Sequence, residues 1–301
     1  MTNSMCLLII GGQVAAKRSE DWIWSGDLHK RVIKSAGPRF TWVNWRLLLA
    51  RNNRNDSRNR RRIVVAEDGP YVTHGGLPLV QKTQVVSEHG EPLTWMKVAT
   101  FDVPETYELC RCGQSKFKPL CDATHALVDF DGSETADTGR TAERRQVYRG
   151  GTGLCVRRDL SLCMDAGFCG NRITDVEEMV ARTEDTEVRS LVMAMIERCP
   201  SGSYTYSLDK DGDDIEPDLP RQVAATTEIT SEGPINGPLW VTGGVPIERS
   251  DGEPFETRNR VTLCRCGHSR IKPLCDGTHR ELGEPAAGSG SEAAEQNSGS
   301  C

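Results

Sequence analysis

The stretch LCRCGHSRIKPLCDGTH occupies residues 263–279, and LCRCGQSKFKPLCDATH occupies residues 109–125. Thirteen of the seventeen positions are identical. Three cysteines, a proline, an aspartate and a histidine therefore recur at one fixed spacing, C-x-C-x8-C-x3-H. Cysteines two apart in an extended segment turn both thiols to one side, with the intervening Arg265 pointing away. If a helix begins at Cys275, with Asp276 favourable in its first turn, Cys275 and His279 share a face as an i, i+4 pair. Two ligand pairs then face each other across GHSRIKP. Thiolates with an imidazole suit zinc or an iron–sulfur cluster. Three Cys and one His is a known structural zinc set, although zinc sites usually open with C-x2-C to C-x4-C rather than C-x-C.

The repeat extends upstream. GPYVTHGGLPL (69–79) matches GPLWVTGGVPI (237–247) in its Gly, Pro, Gly-Gly and Pro positions, and GEPL (90–93) matches GEPF (252–255). Each copy reads as short β-branched strands joined by Gly/Pro turns and ending in the cysteine motif. The first copy is longer between its Gly-Gly and its first cysteine, an interval expected to be a loop insertion. The fold class expected is α+β: two small β-rich modules related by a pseudo-twofold axis, flanking a small α+β unit. The boundaries expected are 61–130 and 225–281 for the modules and 143–210 for the unit between them. Residues 1–60 are expected to be an unstructured extension, and 282–301 a low-complexity disordered tail.

Composition narrows the function. Only 37% of the 301 residues are hydrophobic, while 29 Gly and 15 Pro put much of the chain into turns. The net charge of −6 argues against nucleic acid as the main partner. The basic run Arg51–Arg62 reads as a solvated segment. No stretch approaches the roughly 20 apolar residues of a membrane span, and MCLLIIGG is too short for a signal-peptide core. A soluble, cytoplasmic protein is expected, in which twelve cysteines signal metal or redox chemistry before disulfides.

CRCGHSRIKPLCDGTH, and CRCGQSKFKPLCDATH almost equally, resemble the signature of CDGSH iron–sulfur proteins, the mitoNEET family. That resemblance implies a 2Fe–2S cluster on Cys110, Cys112, Cys121 and His125, and a second on Cys264, Cys266, Cys275 and His279. One iron would sit on each C-x-C pair and the other on each Cys–His pair. Tandem motifs resemble the monomeric members, in which two modules replace a homodimer. Ala123 departs from the signature, which has Gly there; if the position needs φ > 0, Ala strains the first loop. His29, His74 and His89 lie outside the signature and read as surface or turn residues. His268 stands where the first copy has Gln114, so it is not an obligatory ligand. Lys118 and Lys272 could offset cluster charge or bond near the histidines.

Between the copies, VYRGGTGLCVRRDLSLC reads as strand. TDVE (174–177) then forms a capping box on Thr174, and a helix follows with Val188, Leu191, Val192, Met195, Ile196 and Cys199 on one face, ended by Pro200 and Gly202. Cys163, Cys169 and Cys199-Pro200 resemble a ferredoxin-like single-cluster domain that lacks one ligand, since Ala166 stands where C-x2-C-x2-C has its second cysteine. The resemblance implies a 3Fe–4S or 4Fe–4S cluster on Cys163, Cys169 and Cys199, with Asp165 or Cys155 as candidate fourth ligand. Cys6, Cys155 and Cys301 are left over.

No nucleotide loop, nucleophile elbow or carboxylate constellation points to an enzyme. The function expected is electron transfer between redox partner proteins. Delivery of clusters to apo acceptors, redox sensing and structural zinc are the alternatives. A monomer with an internal pseudo-dimer is expected, with neither membrane nor nucleic acid as a partner.

Overall fold

In the computed structural model the described residues are 61–286 apart from Thr152, together with three N-terminal strands. These strands are β1 (Cys6–Ile10), β2 (Gln13–Arg18) and β3 (Asp21–Ser25), an antiparallel sheet in that order. They lie in a unit of their own, residues 1–48. The rest of 1–60, most of the basic run included, and 287–301 lie outside the described residues.

Burial alternates along β4 (Arg62–Val65) and β5 (Tyr71–His74), so each strand buries one face and leaves the other half-buried. The first copy continues with β6 (Leu79–Val86), β7 (Pro92–Phe101) and β8 (Tyr107–Leu109). The second copy supplies β12 (Gln222–Thr230), β13 (Gly233–Thr242), β14 (Ile247–Glu248) and β15 (Arg260–Leu263). The two copies do not form separate sheets. One sheet has the order β14-β4-β5-β8, the other β15-β13-β12-β6-β7. The first therefore takes one strand, β14, from the second copy, and the second takes two, β6 and β7, from the first.

The exchanged strands pair in parallel. Leu79 stands opposite Val223, and Ile247 stands opposite Ile63. Leu79 and Ile247 hold the same place in the repeat, so one contact is made twice with the copies' roles reversed. The buried core is shared in the same way: Ile63, Tyr71, Leu79 and Leu109 pack with Val223, Leu239, Val241 and Leu263. Burying each such side chain is worth about 1.5–3 kcal/mol.

The longer interval of the first copy is not the loop expected of it. It is the β6–β7 hairpin, which adds an edge strand beyond the repeated pattern. The chain also stays ordered past 281, because Ala286 N bonds Pro234 O and Asn236 N bonds Glu284 O.

The intervening unit pairs β9 (Gln146–Arg149), β10 (Cys155–Arg158) and β11 (Tyr204–Ser207) in the antiparallel order β11-β10-β9. After α1 (Thr141–Arg144), which precedes this sheet, come α2 (Val176–Met179) and α3 (Thr186–Arg198). Two sequence expectations are corrected here. The cap of α2 is Asp175, whose carboxylate accepts from Glu178 N, and not Thr174; a side chain next to the helix start reaches the free amides more directly. On α3, Val192, Met195 and Ile196 are buried as expected, but Leu191 is 43% exposed and lies off the apolar stripe.

Arg260, at the start of β15, fastens this unit to the second copy. Its side chain is fully buried. The guanidinium donates to the carbonyls of Ile196 (2.8 Å), Glu197 (3.2 Å), Cys199 (2.8 Å) and Tyr204 (3.3 Å), and its Nε lies 2.8 Å from Glu216 Oε2. Three of these acceptors are carbonyls at the C-terminus of α3, where a positive charge is favoured.

Candidate metal centres

β8 and β15 end one residue before the cysteine motifs and deliver both C-x-C pairs from the sheets. Each motif loop then folds back on its own strand. Cys110 N bonds Pro119 O and Cys264 N bonds Pro273 O, both at 2.8 Å; Cys121 N bonds Glu108 O and Cys275 N bonds Thr262 O. The peptides Lys118–Pro119 and Lys272–Pro273 are cis. Asp122 accepts from the amides of Lys116 and Thr124, and Asp276 from those of Arg270 and Thr278. Asp122 is held at about 2 by its bonds to Thr124 and the Lys116 amide. Asp276 also lies at about 2: burial opposes this, and the bonds from Arg270 and Thr278 prevail. Each clasp is thus complete above about pH 4 and weakens as pH falls towards 2.

The thiol and imidazole positions follow. Cys110 and Cys112 Sγ lie 3.9 Å apart, Cys264 and Cys266 Sγ 3.8 Å. Cys121 Sγ is 3.3 Å from His125 Nδ1, and Cys275 Sγ is 3.4 Å from His279 Nδ1. Two sulfurs bound tetrahedrally at about 2.3 Å to one metal stand about 3.8 Å apart, and a sulfur with a nitrogen slightly less. Each pair is spaced to clasp one metal atom. Among the described residues, however, no group of three or more His, Cys, Asp or Glu is arranged to hold a single ion. The four ligands of each motif thus present two pairs.

The helix expected from Cys275 is not there. Cys275 and His279 meet across a turn, and α4 (His279–Leu282) begins only at the histidine. Gly277 makes the turn, at φ 90, and Ala123 adopts φ 64 in the same place. The position does need the left-handed region, so Ala123 carries strain that glycine would not. We expect Ala123→Gly to stabilise the first loop by about 1 kcal/mol. A denaturant midpoint unchanged or lowered in the variant would contradict this.

Arg111 and Arg265 point away from their cysteines, as expected, but into the protein. Arg111 reaches Ala66 O and Gly132 O, while Arg265 reaches Thr226 O and Asn236 Oδ1. Neither lysine approaches a histidine: Lys118 pairs with Glu284, and Lys272 donates to Ser269 O. His268 is exposed, His89 sits beside Glu88 in a turn, and His74 lies on β5. His29 is outside the described residues.

The two sites differ in depth. Cys275 and His279 are buried at 2% and 4% exposure, whereas Cys121 and His125 are half-buried. The cover of the second site is the segment that carries the middle cysteines. Met164, Ala166 and Phe168 pack against Cys275, with Trp95 beside them, and Arg280 donates to Asp165 O. Cys163, Cys169 and Cys199 line one cavity of about 70 Å³ with Asp165, Ala166, Arg158 and Tyr204. Burial first, then the neighbouring Cys199 and Cys163, push the Cys169 thiol up to about 11. Cys155 is buried on β10 and does not line this cavity. Of the two candidate fourth ligands, Asp165 is the one at the cavity.

Residues 68–126 and 236–280 match the family model described as iron-binding zinc finger, CDGSH type. The chain is thus similar to that family over two stretches in tandem. No curated protein and no solved structure gives a significant match. Among the described residues, no helix is long and apolar enough to cross a membrane.

Proposed function

We propose that this protein is an iron–sulfur electron carrier. The reading places one 2Fe–2S cluster on Cys110, Cys112, Cys121 and His125 and another on Cys264, Cys266, Cys275 and His279. A third cluster, 3Fe–4S or 4Fe–4S, is held by Cys163, Cys169 and Cys199 in a ferredoxin-like unit. When bound, such clusters accept and return single electrons. The observation that carries the reading is the direct packing of the Cys163–Cys169 segment on Cys275, which joins two cysteine-lined sites through buried side chains.

The protein's own part is to hold and shield. Two strands and two folded-back loops fix the thiols before metal arrives, so little ordering entropy is lost on loading. Burial raises Cys110 and Cys275 above an ordinary thiol, and loading therefore releases protons. On this reading the partners are redox proteins, the chain is not itself an enzyme, and it works as a monomer. Cluster delivery to apo acceptors is the second reading, favoured by the part-exposed His125, since protonation of a histidine competes with its ligation.

Metal analysis and electron paramagnetic resonance of the oxidised protein test the proposal together. About seven irons per chain and little zinc are expected, with a paramagnetic 3Fe–4S signal from the middle site. Ala166→Cys puts a thiol at the cavity wall, and should add an eighth iron and silence that signal. Stoichiometric zinc in protein made with ample iron would overturn the iron–sulfur reading. A parent protein that is already silent with eight irons would assign the fourth corner to Asp165 or solvent.

A further inference from the structure

The second site contains a buried carboxylate, Glu228, whose counterpart in the first copy, Asp68, is exposed and accepts from Gly132 N instead. β4 stops at Val65, and Gly69 N bonds Ala66 O to close a turn. The matching strand β12 runs on to Thr230 and carries Glu228 into the interior. The correspondence is fixed by the arginines, since Arg111 bonds Ala66 O as Arg265 bonds Thr226 O. Glu228 is completely buried. Its Oε1 lies 3.0 Å from His279 Nε2, and its Oε2 lies 3.5 Å from Arg280 Nη1 without a hydrogen bond. Gly237 leaves room for it, because a Cβ there would lie 3.1 Å from Oε1.

Burying a carboxylate costs several kcal/mol unless close partners compensate. Here the partners are a ligand histidine and one half-exposed arginine. With Nδ1 turned towards Cys275, a carboxylate on Nε2 fixes the proton there and leaves Nδ1 free for metal. His125 has no such restraint, since among the described residues its only polar partner is Cys121.

We propose that Glu228 is a positioning residue for His279, and that it makes the second cluster the retained one and the first the exchangeable one. The inference rests on the iron–sulfur reading and deepens it. A buried, carboxylate-held site suits an internal relay beside the middle cysteines. A half-exposed, unrestrained site suits exchange with a partner.

The experiment follows cluster loss to a chelator, by visible absorbance, in the full-length chain carrying Cys121→Ser so that the second site is read without the first. Glu228→Ala should speed loss by about 10- to 100-fold, the usual effect of removing the group that orients a metal-bound histidine. Glu228→Gln keeps an acceptor oxygen and should fall between. In a His279→Cys background there is no imidazole to position, and Glu228→Ala should change nothing. Loss at the parental rate, or equal acceleration in the His279→Cys background, would overturn the proposal. Should Glu228→Ala not fold, the midpoint potential of Glu228→Gln decides. Removing the buried negative charge should raise the potential of the second cluster alone, and an unchanged potential rejects the role. Absence of iron from the second site of the parent would instead reject the iron–sulfur reading itself.

Discussion

Gly267→Ala is expected to destabilise the protein by about 3 kcal/mol and to loosen both CDGSH-type sites together. Two costs add. At φ 83 an alanine pays about 1–2 kcal/mol for the left-handed conformation. Its Cβ would also lie 2.6 Å from the carbonyl oxygen of Cys112, a backbone atom that cannot swing aside, and such overpacking costs about 1–3 kcal/mol. The contact is reciprocal, since a Cβ on Gly113 would meet the carbonyl of Cys266 even more closely. The two C-x-C turns thus lie back to back, and a wedge between them displaces ligands on both sides. Gly252 is the control: it has φ 87 but open space around its missing Cβ, so Gly252→Ala should show the conformational cost alone. Equal denaturant midpoints for the two variants, with both clusters kept, would show that the close approach has no energetic weight.

The second large effect is expected at Arg260. Arg260→Ala removes the charged donor that the carbonyls of Ile196, Cys199 and Tyr204 share in a buried seam, and takes the ion-pair partner from Glu216. Ile196 O and Cys199 O keep only their backbone donors, Cys199 N and Gly202 N; a hydrogen bond to a charged group is worth about 1.5–3 kcal/mol, and a total loss of about 3 kcal/mol is expected. The damage should be local. Cys199 caps α3 through a backbone whose carbonyl Arg260 holds, and on the iron–sulfur reading proposed above the middle site should lose its cluster before the second module unfolds. A paramagnetic signal and a thermal midpoint both equal to the parent would refute this.

What the sequence made legible was set by local chemistry. The duplicated cysteine spacing, the Gly/Pro-punctuated strands and the apolar stripe of α3 each follow from neighbours a few residues apart. The structure sets Cys110 beside Cys112, Cys121 beside His125 and their counterparts likewise, and lines one cavity with Cys163, Cys169 and Cys199. The strand exchange was not legible, because Leu79 and Val223 pair across 144 positions and nothing near either names its partner. The edge strand β7 was hidden for a related reason, its exposed face giving little alternation. Cys275 and His279 have helical spacing, yet Gly277 breaks any helix between them. Glu228 did leave a trace: a lone acid in the otherwise uncharged run VAATTEIT is out of place on a buried strand. Arg260 left none, being one arginine among several before the second motif.

The exchange of strands also bears on how the two sites came to differ. In a symmetric pair of separate chains, one gene writes both sites, and any change in a motif is made at both. Here the same architecture is spelled out twice along a single chain. Ala123 could replace glycine at one turn while Gly277 stayed at the other, and β12 could lengthen to bring in Glu228 while β4 stayed short. Joining the halves breaks the obligation to be alike, and each site becomes free to drift towards its own task.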